Sequence, residues 1–270
     1  MDGPILLIGS GKMGSALLQG WLAKGAQASD VLVVEPGVGA RDAAAALGVT
    51  VFADAALIDP GLKPRVIVLA VKPQAMDVAL PAYSAYAGGR AVFLSIAAGR
   101  SLASLKGLLG ADAAIVRAMP NTPAAVGRGM SVLTANPAAT GDDRAICEGL
   151  LKAVGDAAWV EDETLMDAVT AVSGSGPAYV FYLMECLAEA AVVAGLPAAL
   201  ASRIAEATVT GAAELCRQSG TPPGTLRENV AAPGGTTEVA LKVLMDADGL
   251  QPLLNRAVAA AAARSRELAG

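Results

Sequence analysis

Histidine is absent from all 270 residues of this chain. Without imidazole there can be no Ser-His-Asp triad, no imidazole general acid and no zinc site of the usual kind. Cysteine is scarce. Cys147, Cys186 and Cys216 are odd in number, far apart and set among apolar neighbours, which indicates neither a disulfide framework nor a metal site. They read as small buried hydrophobes. An excess of positive charge is also lacking: 20 Lys and Arg stand against 25 Asp and Glu, for a net charge of −5. The cations are scattered singly, so nothing forms a footprint for nucleic acid. The longest uncharged run near the middle, residues 168–184, is interrupted by Ser173-Gly174-Ser175-Gly176-Pro177 and is too short for a bilayer span. The opening Met1-Asp2-Gly3-Pro4 has no basic start of a signal peptide. These absences lead us to expect a soluble cytoplasmic protein that acts on a small molecule, without metal, nucleic acid or membrane.

What the chain does have is apolar content, 54% of its residues, enough for a large core in one large or two medium domains. Its first half alternates short β-branched runs with alanine-rich amphipathic segments. Strands are expected at residues 5–8, 31–34, 66–71, 91–95 and 115–118, and helices at 14–23, 41–47, 74–83 and 102–109. This order is that of an α/β fold, a Rossmann-type doubly wound parallel sheet covered by helices. Beyond residue 142 long alanine-leucine segments with helical periodicity take over, at 142–153, 178–194, 197–219 and 251–268. The expected division is a dinucleotide-binding domain at 1–160 and an all-helical domain at 161–270. Ala190 to Ala194 and Ala257 to Ala263 carry almost no polar face. Helices so apolar need covering, and a second subunit would cover them.

Gly9-Ser10-Gly11-Lys12-Met13-Gly14 follows the first strand and opens a helix, the context in which a GxGxxG run cradles a pyrophosphate. Glu35, 21 residues after Gly14, ends the second strand, where a carboxylate accepts hydrogen bonds from a ribose diol and favours NADH. Arg41 is close enough in sequence to meet the 2′-phosphate of NADPH. The runs Ala70-Val71-Lys72-Pro73, Ser95-Ile96-Ala97-Ala98-Gly99 and Ala118-Met119-Pro120-Asn121-Thr122-Pro123 close later strands at the ligand edge of such a sheet. Ser173 to Tyr179 reads as the start of a long helix with free N–H groups, and Glu163 stands in an acidic patch before it. Pro233-Gly234-Gly235-Thr236-Thr237 opens another apparent helix and forms a second anion seat, separate from the cofactor loop. That seat is suited to a substrate carboxylate.

Together, Gly9 to Gly14, Ala70 to Pro73, Ala118 to Pro123, Ser173 to Tyr179 and Pro233 to Thr237 resemble pyrroline-5-carboxylate reductases over nearly the whole chain. The glycine loop is shared by many dehydrogenases. Ser-Gly-Ser-Gly-Pro-Ala-Tyr followed some 55 residues later by Pro-Gly-Gly-Thr-Thr is far more specific. The resemblance implies NADPH- or NADH-dependent reduction of the cyclic imino acid 1-pyrroline-5-carboxylate to L-proline, the last step of proline synthesis. It also implies a helical dimerisation domain, often assembled into larger rings. By position, Gly9, Ser10, Gly11, Lys12, Met13, Gly14, Glu35, Ala70, Val71, Lys72, Pro73, Ala98 and Asn229 would line the cofactor. Glu163, Gly234, Gly235, Thr236 and Thr237 would face the substrate. Two departures stand out: Ala232 replaces a hydroxyl residue common in the family, and Glu35 replaces a small polar one that suits a 2′-phosphate.

The missing histidine fits this chemistry. A carbonyl substrate needs an acid for the developing alkoxide, whereas a protonated cyclic imine is already an electrophile and mainly needs positioning. Thr237 is the expected catalytic hydroxyl, hydrogen-bonded to the ring nitrogen, while the Gly234–Thr236 backbone holds the carboxylate. A 3-hydroxyacid dehydrogenase is a rival reading, although enzymes of that kind resemble one another in a helix lysine and no lysine lies between Lys152 and Lys242. A non-catalytic dinucleotide-binding regulator is the other, and it would have no use for the second anion seat.

Overall fold

The fold is described from a computed structural model covering residues 2–269. Eight strands, β1 (Ile5–Ile8), β2 (Val31–Val34), β3 (Thr50–Phe52), β4 (Val66–Leu69), β5 (Val92–Ser95), β6 (Ala114–Met119), β7 (Gly129–Ala135) and β8 (Gly155–Trp159), form one sheet in the order 3-2-1-4-5-6-7-8. All neighbours are parallel except β6 and β7. The five strands read from the sequence are the apolar runs buried on both faces. The three others lack that signal. β3 is a three-residue edge strand, β7 carries Ser131 and Thr134 among its apolar residues, and Gly-Asp-Ala-Ala-Trp in β8 has low strand propensity; pairing with neighbours decides each of them.

Alternate strand residues feed two cores, as the two-residue period of a strand requires. Leu7, Val33, Val68, Leu94 and Val116 pack with Leu17, Leu18 and Trp21 of α1 (Lys12–Ala23) and with Ala44 of α2 (Val38–Ala45). Leu6, Ile8, Ile67, Leu69, Phe93 and Ile115 pack with Met76 of α3 (Met76–Ala79), with Leu80 and Tyr83, and with Leu105 and Leu109 of α4 (Leu102–Leu109). The expected single helix at 74–83 is broken into 3-10 turns on either side of α3, because Pro81 supplies no N–H and crowds the preceding turn. Cys147, Leu150 and Leu151 of α5 (Gly141–Lys152) join the first core, and the Trp21 indole donates to the Leu150 carbonyl at 2.9 Å.

At the amino end of the sheet the Arg65 guanidinium meets the Asp143 carboxylate at 2.6 Å, with both side chains more than nine-tenths buried. Asp143 also closes a capping box with Thr140 at the start of α5. Burial works to raise the Asp143 carboxyl pKa, but hydrogen bonds from Thr140 and Arg65 outweigh it and the net shift is downward. Asp143→Asn strands the buried guanidinium, so urea unfolding at pH 7 is expected to show a loss of about 3 kcal/mol. A lowered native pKa stabilises above the unfolded carboxyl value and is lost as pH falls through the native one. The gap between wild type and variant should therefore narrow as pH falls below about 4; a gap that does not narrow with acid would show that the charge is not responsible.

The helices beyond the sheet are α6 (Met166–Val169), α7 (Gly176–Val193), α8 (Ala198–Ser219), α9 (Pro223–Asn229), α10 (Thr236–Leu244) and α11 (Leu250–Ala269). Residues 1–175 and 261–270 form one compact unit and residues 176–260 another. The sequence places a boundary near residue 160, at the end of β8. The compact units divide later because the segment after β8 is tied into the first unit, by Glu163 on Arg117 of β6 and by Asp167, which accepts from Ser265 near the end of α11. Inside the helical unit α7 packs on α8, yet only Ala201 and Ala205 are buried. Phe181, Leu183, Leu187, Ile204, Val243 and Leu254 are among its many exposed apolar side chains. Cys186 is exposed and Cys216 half-buried; of the three cysteines only Cys147 is the buried hydrophobe expected.

Candidate functional site

The chain leaves β1 through Gly9, whose φ of +91° is open to glycine and whose Cβ, if present, would lie 2.9 Å from the Ala70 carbonyl oxygen. A Cβ on Gly14 would run into the Gly9 carbonyl, so these two glycines are required by the approach of β1, β4 and α1 to one another. Gly11 differs. A Cβ there would meet no protein atom within 4 Å, and Gly11 is the N-cap of α1 with no side chain capping it. Packing does not account for that glycine, whereas close approach of a pyrophosphate to free N–H groups does. The loop therefore passes a test of fit for a dinucleotide. Ser10 is buried, and Lys12 reaches solvent.

Glu35 is drawn into the same loop. Its Oε2 accepts from the Ser10 N–H at 2.7 Å and its Oε1 from the Gly37 N–H at 2.8 Å. Arg41 turns back over this corner, donating to the carbonyls of Glu35 and Pro36 at 3.3 and 3.1 Å. Ala70 joins by its N–H to the Ile8 carbonyl at 2.8 Å, so the first and fourth strands exit side by side. Val71 and Pro73 are half-buried there, while Lys72 and Ala98 are exposed. Thus Gly9 to Gly14, Glu35 and Ala70 are brought together at the carboxyl edge, the ligand edge of a doubly wound sheet.

Asn121, in the run that closes β6 at the ligand edge, is committed within the protein. Its Oδ1 accepts from the Met130 N–H at 2.8 Å, and its Nδ2 donates to the Ser173 carbonyl at 3.2 Å. Ser173 to Tyr179 opens a helix as expected, α7 beginning at Gly176, but the residues before it are not free. Residues Thr170–Gly174 form one turn of π-helix, the Ser175 N–H is taken by the Thr170 carbonyl at 2.9 Å, and helix extends from Glu163 to Val193. Glycine and proline are accommodated there because the π-turn ends in a bend at Ser175, and Pro177 falls in the first turn of α7, where its missing N–H costs nothing. That stretch is long and apolar enough to cross a membrane by length and composition, at mean hydropathy 1.3. The same property is expected of a helix that packs in an interface.

Glu163 is not the free carboxylate of an acidic patch. Its Oε1 accepts from Arg117 at 2.6 Å and from the Leu102 N–H, at the start of α4, at 2.8 Å. Sequence reading missed Arg117, although a lone arginine inside the apolar strand Ala114–Met119 signalled a buried partner. Glu161 lies apart, paired with Arg144 at 2.9 Å, whose guanidinium stacks 5.0 Å over Trp159.

In the helical unit, Asn229 is the exposed last residue of α9. The turn that follows places Gly234 at φ +73° and Gly235 as the N-cap of α10, which puts Thr236 and Thr237 in the first helical turn. The N-cap is thus Gly235, which leaves the Thr237 hydroxyl without a capping role. Among the described residues the half-buried Thr237 hydroxyl has no hydrogen-bond partner. The Gly234 N–H donates to Glu238 Oε2 at 2.6 Å, so a carboxylate already sits at this turn. The Gly234 hydrogen bond, with Lys242 beside it, holds the Glu238 carboxyl below the usual range.

Comparison with known proteins bears on both units. Residues 163–268 match the family model described as pyrroline-5-carboxylate reductase dimerisation, and residues 4–99 match one described as NADP oxidoreductase coenzyme F420-dependent. A pyrroline-5-carboxylate reductase of Pseudomonas aeruginosa is 41% identical over 98% of this chain and 96% of its own length. The Arabidopsis thaliana enzyme is 39% identical over 97% and 94%. Among solved structures, the Coxiella burnetii reductase superposes with a TM-score of 0.94 at 34% identity, covering 100% of both chains. The Plasmodium falciparum reductase, solved with NADP bound, gives 0.82 at 27% identity over 100% and 99%. With identity of this extent over nearly its whole length, the chain belongs to the pyrroline-5-carboxylate reductase family.

Proposed function

We propose that this protein reduces 1-pyrroline-5-carboxylate to L-proline with NADPH or NADH, the final step of proline biosynthesis, as a cytoplasmic enzyme. The observation that carries the reading is the turn before α10: a backbone N–H that holds a carboxylate at 2.6 Å stands next to a hydroxyl with no capping duty, in a chain without histidine. Glu238 stands in there for the substrate carboxylate. Its other oxygen is 3.0 Å from Lys242, which can retain the side chain when a substrate displaces it from Gly234. Gly234, Gly235 and Thr236 then seat the carboxylate, and Thr237 donates to or relays a proton at the ring nitrogen.

The nucleotide, when bound, supplies hydride to the imine carbon. Gly9, Ser10, Gly11, Lys12, Met13 and Gly14 would hold its pyrophosphate, Glu35 its adenosine ribose, and Ala70, Val71, Lys72, Pro73, Ala98 and Asn229 would line the remainder. Glu163, with Oε1 committed to Arg117, would act on the substrate only through its second oxygen. By function, residues 1–160 would serve the nucleotide and 161–270 the substrate and dimerisation, in a homodimer that can build rings, although residues 161–175 and 261–270 pack with the sheet unit. Exposed apolar side chains along α7 and α8 support that assembly.

Following NADPH and NADH oxidation with pyrroline-5-carboxylate and with piperideine carboxylates tests the reaction directly. Failure to oxidise either nucleotide with any of these imines would overturn it. Cofactor choice has its own test at Glu35, whose carboxylate lies against the Ser10 and Gly37 N–H groups where a 2′-phosphate would meet like charge. Glu35→Ser is expected to move the ratio of kcat/KM for NADPH over NADH upward by about tenfold, equivalent to about 1.4 kcal/mol. An unchanged ratio would remove Glu35 from cofactor selection.

A further inference from the structure

Two of the strand exits assigned above to the cofactor are tied together by one side chain that sequence reading passed over. Arg100 follows the Ala97-Ala98-Gly99 loop after β5, one residue before the N-cap of α4. Its Nε and one terminal nitrogen donate to the Pro73 carbonyl at 3.2 and 2.8 Å. The two terminal nitrogens also grip both oxygens of Asp77 at 2.9 Å each, and one reaches Ser104 Oγ at 3.4 Å. The guanidinium is thus saturated inside the protein, with its side chain only 19% exposed.

Asp77 is itself 60% exposed, and an ion pair so open to water contributes little. The carbonyl contact is the informative one. Pro73 opens the 3-10 turn that leaves β4, and the segment up to Pro81 holds a single four-residue turn of α-helix, α3, too short to fix that turn from within. A planar fork that satisfies a carbonyl and a carboxylate together sets both distance and angle, which a lysine cannot do. We propose that Arg100 is a positioning residue for nucleotide binding, bracing the Lys72–Pro73 turn against the loop that carries Ala98. This rests on the assignment of those two exits to the cofactor.

The test is titration of full-length wild type, Arg100→Met, Arg100→Lys and Asp77→Asn with NADPH and with NADH, read by reduced-nicotinamide fluorescence. Arg100→Met is expected to weaken binding of both about tenfold, because small displacements of binding groups carry large penalties. Arg100→Lys should fall between it and wild type, and Asp77→Asn, which keeps the carbonyl contacts, should bind within about twofold of wild type. A merely destabilised protein loses binding sites rather than affinity per site, so stoichiometry separates the two effects. At saturating nucleotide, kcat and the KM for the imine should hold. Arg100→Met, or Arg100→Lys if the former does not fold, binding as tightly as wild type would overturn the brace. Wild type that binds nucleotide but reduces no imine would overturn the proposed reaction and leave the brace standing; wild type that binds neither nucleotide would overturn both.

Discussion

Thr237→Ala is expected to fold as wild type does and to reduce pyrroline-5-carboxylate about a hundredfold more slowly, within the range supplied by positioned proton donors. Normal folding follows from the geometry. Gly235, not Thr237, is the N-cap of α10, and the threonine hydroxyl has no hydrogen bond to lose among the described residues. Loss of a β-branched residue from the first turn even favours the helix slightly. The effect should fall on kcat more than on the KM for the imine, since Gly234 to Thr236 would still hold the carboxylate. Thr237→Ser, which keeps the hydroxyl, should restore most of the rate. Turnover that is unchanged in Thr237→Ala would exclude this hydroxyl from the reaction and leave positioning by the backbone alone.

Legibility of this molecule followed the physics of each segment. Residues 5–8, 31–34 and 66–69 are apolar throughout because they are buried on both faces, and that is what made them readable. β8 was invisible because Gly-Asp-Ala-Ala-Trp becomes a strand only by pairing with β7. The glycine loop could be read because its neighbours in sequence, a strand and a helix, define its use. Ser173 to Gly176 could be read in part: the helix does begin there, at Gly176, but cap chemistry and the π-turn before it use the same small residues, and only the Thr170 carbonyl, already bonded to Ser175, distinguishes them. Glu163 looked like a solvated carboxylate because its partner, Arg117, lies 46 residues away. Arg100 escaped notice for the same reason: Pro73 and Asp77 are distant in sequence, and a single arginine at the end of an Ala-Ala-Gly loop carries no local pattern.

Association through the helical domain has the second large consequence. Val180, Leu183 and Leu187 share one face of α7, at positions i, i+3 and i+7, and are 43%, 48% and 39% exposed. A helical unit with only two buried alanines cannot stand on its own core, as a burial of about 1.5–3 kcal/mol for each large apolar side chain must still be found elsewhere. Leu183→Glu with Leu187→Glu puts two carboxylates on that face. The pair is expected to convert the oligomer to a chain of 26.8 kDa by light scattering, to reduce helical circular dichroism and to abolish turnover. Nucleotide binding should be weakened far less, because Gly9, Glu35 and Ala70 make their hydrogen bonds within the sheet unit. A double variant that stays oligomeric and active would mean that this face of α7 is not the dimer contact; one that becomes monomeric yet keeps full turnover would mean that the site is complete in a single chain.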